Sequence, residues 1–78
     1  MYQIKKFSDI AEPFYELSVR QREIISLVCD ALSNREIARK LGVTEGTIKI
    51  HLHAIFVKLG VQSRTELMAI FSDQNLSL

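Results

Sequence analysis

The sequence predicts an all-α domain of four helices, near residues 19–30, 34–41, 45–59 and 64–72, behind an N-terminal arm. Three observations carry this expectation. A hydroxyl residue followed three positions later by Glu, Gln or Thr, the signature of a helix start, occurs at Ser18, Ser33, Thr44 and Ser63. Gly42 and Gly60 stand where a left-handed residue would close the second and third segments. Between these signals, apolar residues recur at the three- and four-residue steps of a helix with one buried face. The 78 residues leave room for one small domain, since a chain of this size buries only about 60% of the surface its unfolded form exposes.

The arm, residues 1–16, is not a linker by composition. It carries Tyr2, Phe7, Phe14 and Tyr15, four of the six aromatic residues, and such side chains are costly to leave in water. Pro13 and the acids Asp9, Glu12 and Glu16 are expected to break it into short pieces that pack on the helical body or on a second copy. The first helix opens at Ser18 with Gln21 and turns Ile24, Leu27, Val28 and Ala31 inward. The second opens at Ser33 with Glu36, staples Leu32 to Ile37, and buries Ile37, Ala38 and Leu41. Only Gly42 and Val43 separate it from the cap of the third at Thr44, the short connection of a helix-turn-helix. The fourth opens at Ser63 with Glu66 and buries Leu67, Ile70 and Phe71.

The third segment contains the one ambiguity. Residues 47–54, TIKIHLHA, alternate polar and apolar as a half-buried strand would. A strand would set His51 and His53 side by side like a pair of metal ligands. A helix separates them by about 200°. The segment runs from the cap at Thr44, with Val43 stapled to Ile48, to Gly60 without a turn, too long for an ordinary strand of about five or six residues. As a helix its core stripe is Ile48, Leu52, Ile55 and Leu59, with Phe56 and His51 on the flanks. Ile50 then lies opposite the core, among Gly46, Lys49, His53 and Val57.

Composition narrows the function. Apolar residues at 47% and charged residues at 24% suit a globular domain, and no apolar run approaches the 18 or more residues of a membrane span. No apolar stretch follows Lys5 and Lys6, so no secretory signal is expected. One cysteine excludes an internal disulfide, and with two histidines it leaves no ligand set for a structural zinc. A reducing cytoplasm fits, and no cofactor is expected. There is no glycine-rich phosphate loop and no nucleophile paired with a base, which argues against an enzyme. The net charge of +1 is unevenly spread: Ser33 to Arg64 holds six cations against two carboxylates, a surplus of +4 that leaves −3 elsewhere. A basic mid-section in a nearly neutral chain points toward nucleic acid.

The runs LSVRQREIISLV and SNREIARKLGVTEGTIKIHLHAIFVKLGVQSRTEL resemble the GerE-like DNA-binding domain of LuxR/FixJ-type bacterial transcription regulators. The resemblance covers Leu17 to about Phe71 and makes residues 17–78 the helix-turn-helix domain. SNREIA, T-I-K-x-H, KLGV and the SR that opens the fourth helix carry it most specifically. It implies a four-helix fold whose third helix enters the major groove of double-stranded DNA and whose fourth contributes to a homodimer on DNA, with RNA polymerase as a further candidate partner. Lys49, Ile50 and His53 match positions that face bases. Asn34, Thr47, Lys58 and Arg64 match positions near phosphates, and Met68 and Ala69, off the core stripe of the fourth helix, are the dimer candidates. The family usually has Gly where Ala31 stands and Glu where Gln21 stands.

The residues fit these roles chemically. Ile50 can meet a thymine methyl and Lys49 a guanine edge, while a neutral His53 offers one donor. Lys58 and Arg64 flank the Gly60 turn as backbone clamps, and N–H groups at helix starts let Asn34 and Thr47 hold phosphate. The alternative assignments are a stray surface Ile50 and a solvated Lys49, whereas His51 is expected as a partly buried structural anchor, with a phosphate contact as its alternative, and Cys29 as an inert packing group. Two other functions compete: a sigma-factor-like promoter-recognition domain, and a helical protein-interaction module using Ile50, Ala54 and Val57 as a partner stripe. The fourth capped helix favours the regulator over the sigma-like domain.

Overall fold

The computed structural model describes residues 5–76, with side chains described through Ser72. It contains five helices among these residues: α1 Phe7–Tyr15, α2 Val19–Cys29, α3 Asn34–Leu41, α4 Glu45–Leu59 and α5 Arg64–Leu76. The last four are the helices expected from the caps and stops. The described residues are all-α in their regular structure, and α4 settles the ambiguous alternation in favour of the helix.

The start signals act as anticipated. Ser18 Oγ accepts the Gln21 N–H at 3.0 Å while Gln21 Oε1 accepts the Ser18 N–H at 3.1 Å. Ser33 and Glu36 repeat this exchange at 3.1 and 2.8 Å, and the Ser33 N–H holds the Glu36 carboxyl below its ordinary pKa. That contribution to stability is present above the unfolded pKa and fades as the pH falls through the lower folded value. Thr44 Oγ1 accepts the Thr47 N–H. At the fourth start Ser63 Oγ accepts the Glu66 N–H, and the Glu66 carboxylate accepts from the Gln62 N–H.

Gly42 and Gly60 are left-handed, with φ of 70° and 66°. In both turns the next residue reaches back to the helix: Val43 N–H bonds Ala38 O, and Val61 N–H bonds Phe56 O. These are the paired closures that satisfy the last free carbonyls of a helix. α2 closes in the same way, with Leu32 N–H on Leu27 O and Ala31 N–H on Val28 O. Here the left-handed residue is Ala31, with φ of 67°. The expectation that Ala31 joins the core is therefore corrected: it lies beyond the helix and is exposed. A β-carbon in this conformation costs roughly 1–2 kcal/mol. Ala31→Gly is expected to stabilise the domain by about 1 kcal/mol, the relief partly offset by the greater entropy of an unfolded glycine. Equilibrium denaturation measures it, and a loss of stability would contradict this account of the turn.

The core gathers Ile24, Ile25, Leu27 and Val28 of α2, Ile37 and Ala38 of α3, Ile48, Leu52, Ile55 and Leu59 of α4, and Leu67 and Ile70 of α5. Leu32 and Val43, the two staple residues, pack against it with Leu41, Phe56 and Phe71. α4 lies against α1, α2 and α3, and α5 against α1 and α2. Because α2 touches three neighbours it buries a wider face than its single stripe suggested, which takes Ile25 inside.

The arm departs from expectation. Residues 7–15 form one helix, not short pieces, and the fold has five helices where four were anticipated. Pro13 sits in the last turn of α1, where its fixed φ suits a helix and the missing N–H removes a single bond. Phe7, Ile10 and Phe14 then share one face. Ile10 is fully buried, and Phe7 and Phe14 meet Phe71 of α5 with ring centroids 5.7 and 5.4 Å apart. The arm thus packs on the helical body. Tyr2, the fourth aromatic of the arm, lies outside the described residues.

Candidate nucleic-acid interface

α4 turns its stripe of Ile48, Leu52, Ile55 and Leu59 into the core and presents the opposite side to solvent. Lys49, Ile50 and His53 are all exposed there, Ile50 at 73%. Val57, two turns further along, is exposed at 69%. Two large apolar side chains are thus exposed on one helix face beside two polar groups able to donate hydrogen bonds.

Beside this face lies an open groove lined by Asn34, Lys49, Leu52, His53, Phe56 and Arg64. It joins the start of α3, the outer flank of α4 and the start of α5. Two residues expected at bases, Lys49 and His53, therefore share a site with two expected at phosphates, Asn34 and Arg64. Leu52 and Phe56 supply the apolar part of the wall. Arg64 is held across the groove by two neutral oxygens: Nη1 donates to Asn34 Oδ1 at 2.6 Å, and Nη2 donates to the Leu32 carbonyl.

The other expected phosphate residues lie elsewhere. Thr47 is half-buried, with its hydroxyl 3.0 Å from that of Thr44 at the start of α4. Lys58 does not line the groove; its Nζ pairs with Glu16 Oε1 at 2.8 Å, just after α1. Both partners are about half exposed, so the pair adds little to stability and can open in favour of another anion. Glu16 had been given no part in the site. No sequence signal links it to Lys58, because the two are brought together only by the packing of α1 on α4.

Met68 and Ala69, the residues expected at a dimer contact, are half-buried on α5. With Cys29, Thr65 and Ser72 they line a shallow groove of about 400 Å³. Burial pushes the Cys29 thiol pKa up, aided by Asp30, so at neutral pH it is a protonated packing group. His51 is half-buried on the flank of α4. Among the described residues no three His, Cys, Asp or Glu side chains gather as metal ligands, and no helix is long and apolar enough to cross a membrane.

Residues 15–71 match the family described as bacterial regulatory proteins, luxR family. The chain is 40% identical over 72 residues to the transcriptional regulatory protein LnrK of Bacillus subtilis, covering 90% of this chain and 32% of LnrK. It is 39% identical over 61 residues to the oxygen regulatory protein NreC of Staphylococcus aureus, covering 78% of this chain and 28% of NreC. Over 51 residues it is 39% identical to the nitrate/nitrite response regulator protein NarL of Escherichia coli, covering 65% and 24%. The chain thus spans about a quarter to a third of the length of these relatives.

Proposed function

Since the chain belongs to the luxR family of bacterial regulatory proteins, we propose that residues 17–78 are a DNA-binding domain that reads sequence through α4, with residues 1–16 as a supporting arm. The observation that carries this is the exposed face of Lys49, Ile50 and His53 beside a groove holding Asn34 and Arg64. Inserted in the major groove, Ile50 meets a thymine methyl, Lys49 a guanine edge, and His53 donates from its ring. Arg64, Lys58 and the N–H groups at the start of α4 near Thr47 fix the register on phosphates. Lys58 exchanges Glu16 for a phosphate when DNA arrives. α5, through Met68 and Ala69, pairs two copies on adjacent half-sites, and RNA polymerase is the further partner met at a promoter.

One short helix makes a small interface, so a monomer in solution and a dimer on DNA are compatible. Cooperative filling of two half-sites at one preferred spacing is expected; independent filling at every spacing would remove the dimer from the proposal.

The central test is a titration of duplexes selected from a random pool, against scrambled duplexes, at several salt concentrations. Lys49→Ala and Ile50→Ala should each lose roughly 1–3 kcal/mol of discrimination between the two. Lys58→Ala should weaken both duplexes alike and flatten the salt dependence by about one unit. If no duplex binds at any salt concentration, the exposed stripe of Ile50, Ala54 and Val57 becomes a protein-docking face and the DNA assignment falls.

A further inference from the structure

The two acceptors that hold Arg64 carry no charge. Asn34 Oδ1 and the Leu32 carbonyl take one hydrogen from each terminal nitrogen of the guanidinium. Among the described residues no carboxylate pairs with Arg64; the ion pairs are Arg20 with Glu23 and Lys58 with Glu16. A guanidinium has five N–H donors in a rigid plane. Two anchor it, and the remaining three, on Nε and on each terminal nitrogen, stay available with the full positive charge. Arg64 is also the first residue of α5, the end of a helix that favours anions, so its own helix does not stabilise the cation there.

We propose that Asn34 is a positioning residue that aims Arg64 at a DNA phosphate without neutralising it, and does not itself bind the phosphate. The inference rests on the DNA-binding assignment above. A carboxylate in place of Asn34 would orient the guanidinium equally well, because carboxylate and amide have nearly the same shape. It would also cancel the charge that the phosphate needs. Orientation alone therefore permits Asp or Asn at this position, whereas orientation for use on an anion requires the neutral amide. Leaving Arg64 unanchored is the other way to lose the effect, since a free guanidinium must give up side-chain entropy when it binds.

The decisive variant is Asn34→Asp in the full chain. Position 34 is the first residue of α3, where a negative charge suits the helix dipole, so the variant folds at least as stably as the parent in chemical denaturation. Its affinity for a scrambled duplex at 0.1 M salt should fall by about tenfold and its salt dependence should flatten by about one unit, matching Arg64→Ala. Asn34→Ala provides the second arm. It should weaken binding when Arg64 is present and change nothing in an Arg64→Ala background.

Wild-type binding by Asn34→Asp would overturn the inference, because the charge of Arg64 would then be unused. An equal loss from Asn34→Ala with and without Arg64 would also overturn it, by making Asn34 a direct contact. The parent protein serves as the control for the underlying assignment. If it binds no duplex, DNA binding itself fails; if it binds and the variants behave otherwise than stated, only the role of Asn34 fails.

Discussion

Leu52→Ala will destabilise the domain by about 2–5 kcal/mol, whereas Ile50→Ala, two residues away, will leave its folding nearly unchanged. Leu52 is 6% exposed among the core residues of α4, and its removal leaves a cavity between helices already packed on three sides. Small domains hold only about 5–15 kcal/mol in total, so the loss is a large part of the reserve. Ile50 is 73% exposed and has few contacts to forfeit. In binding the order reverses: with both proteins kept folded, only Ile50→Ala should lose preference for the selected duplex over the scrambled one. Urea denaturation and binding to the two duplexes decide the matter. Equal destabilisation by the two substitutions would mean that they share a face, as on a strand, and the assignment of α4 as the reading helix would fail.

Deleting residues 2–15 is the second large perturbation. It removes Ile10, which is fully buried, and the half-buried Phe7 and Phe14 that close over Phe71. Burial of side chains of this size is worth about 1.5–3 kcal/mol when complete, so a loss of at least about 3 kcal/mol is expected from the three together. For a domain of this length that lowers Tm by roughly 12–24 °C. The deletion also removes the helix that brings Glu16 to Lys58, but a pair this exposed adds little to stability, so the effect reports mainly packing. Thermal melts monitored by helical circular dichroism test it. An unchanged Tm together with unchanged self-association would make the arm a tail with no part in the core.

Much of the fold was legible because its signals are local. A cap such as Ser33 and its partner Glu36 are three residues apart, and a stripe such as Ile48, Leu52, Ile55 and Leu59 repeats with the pitch of the helix itself. The same periodicity sent Ile50 outward, which brought Lys49, Ile50 and His53 to one exposed face before any packing was known. The arm was harder. Pro13 and three acids argue locally against a helix, and the burial of Ile10 and the aromatic contacts with α5 outweigh them only once α4 and α5 supply the surface.

Arg64 and Lys58 show where local reasoning stops. Both flank the Gly60 turn and looked alike as cations beside a helix end. The structure ties Arg64 to Asn34 and the Leu32 carbonyl, 30 and 32 positions away, and pairs Lys58 with Glu16 on the side of α1. By itself the sequence determined that α2 to α5 are helices, where each of these begins, and which side of α4 faces solvent, since those depend on interactions spanning three or four residues. Only the tertiary structure decided what holds each of these cations, and on which side of α4, because such contacts depend on how separate helices settle around a shared core, and distance along the chain carries no record of that.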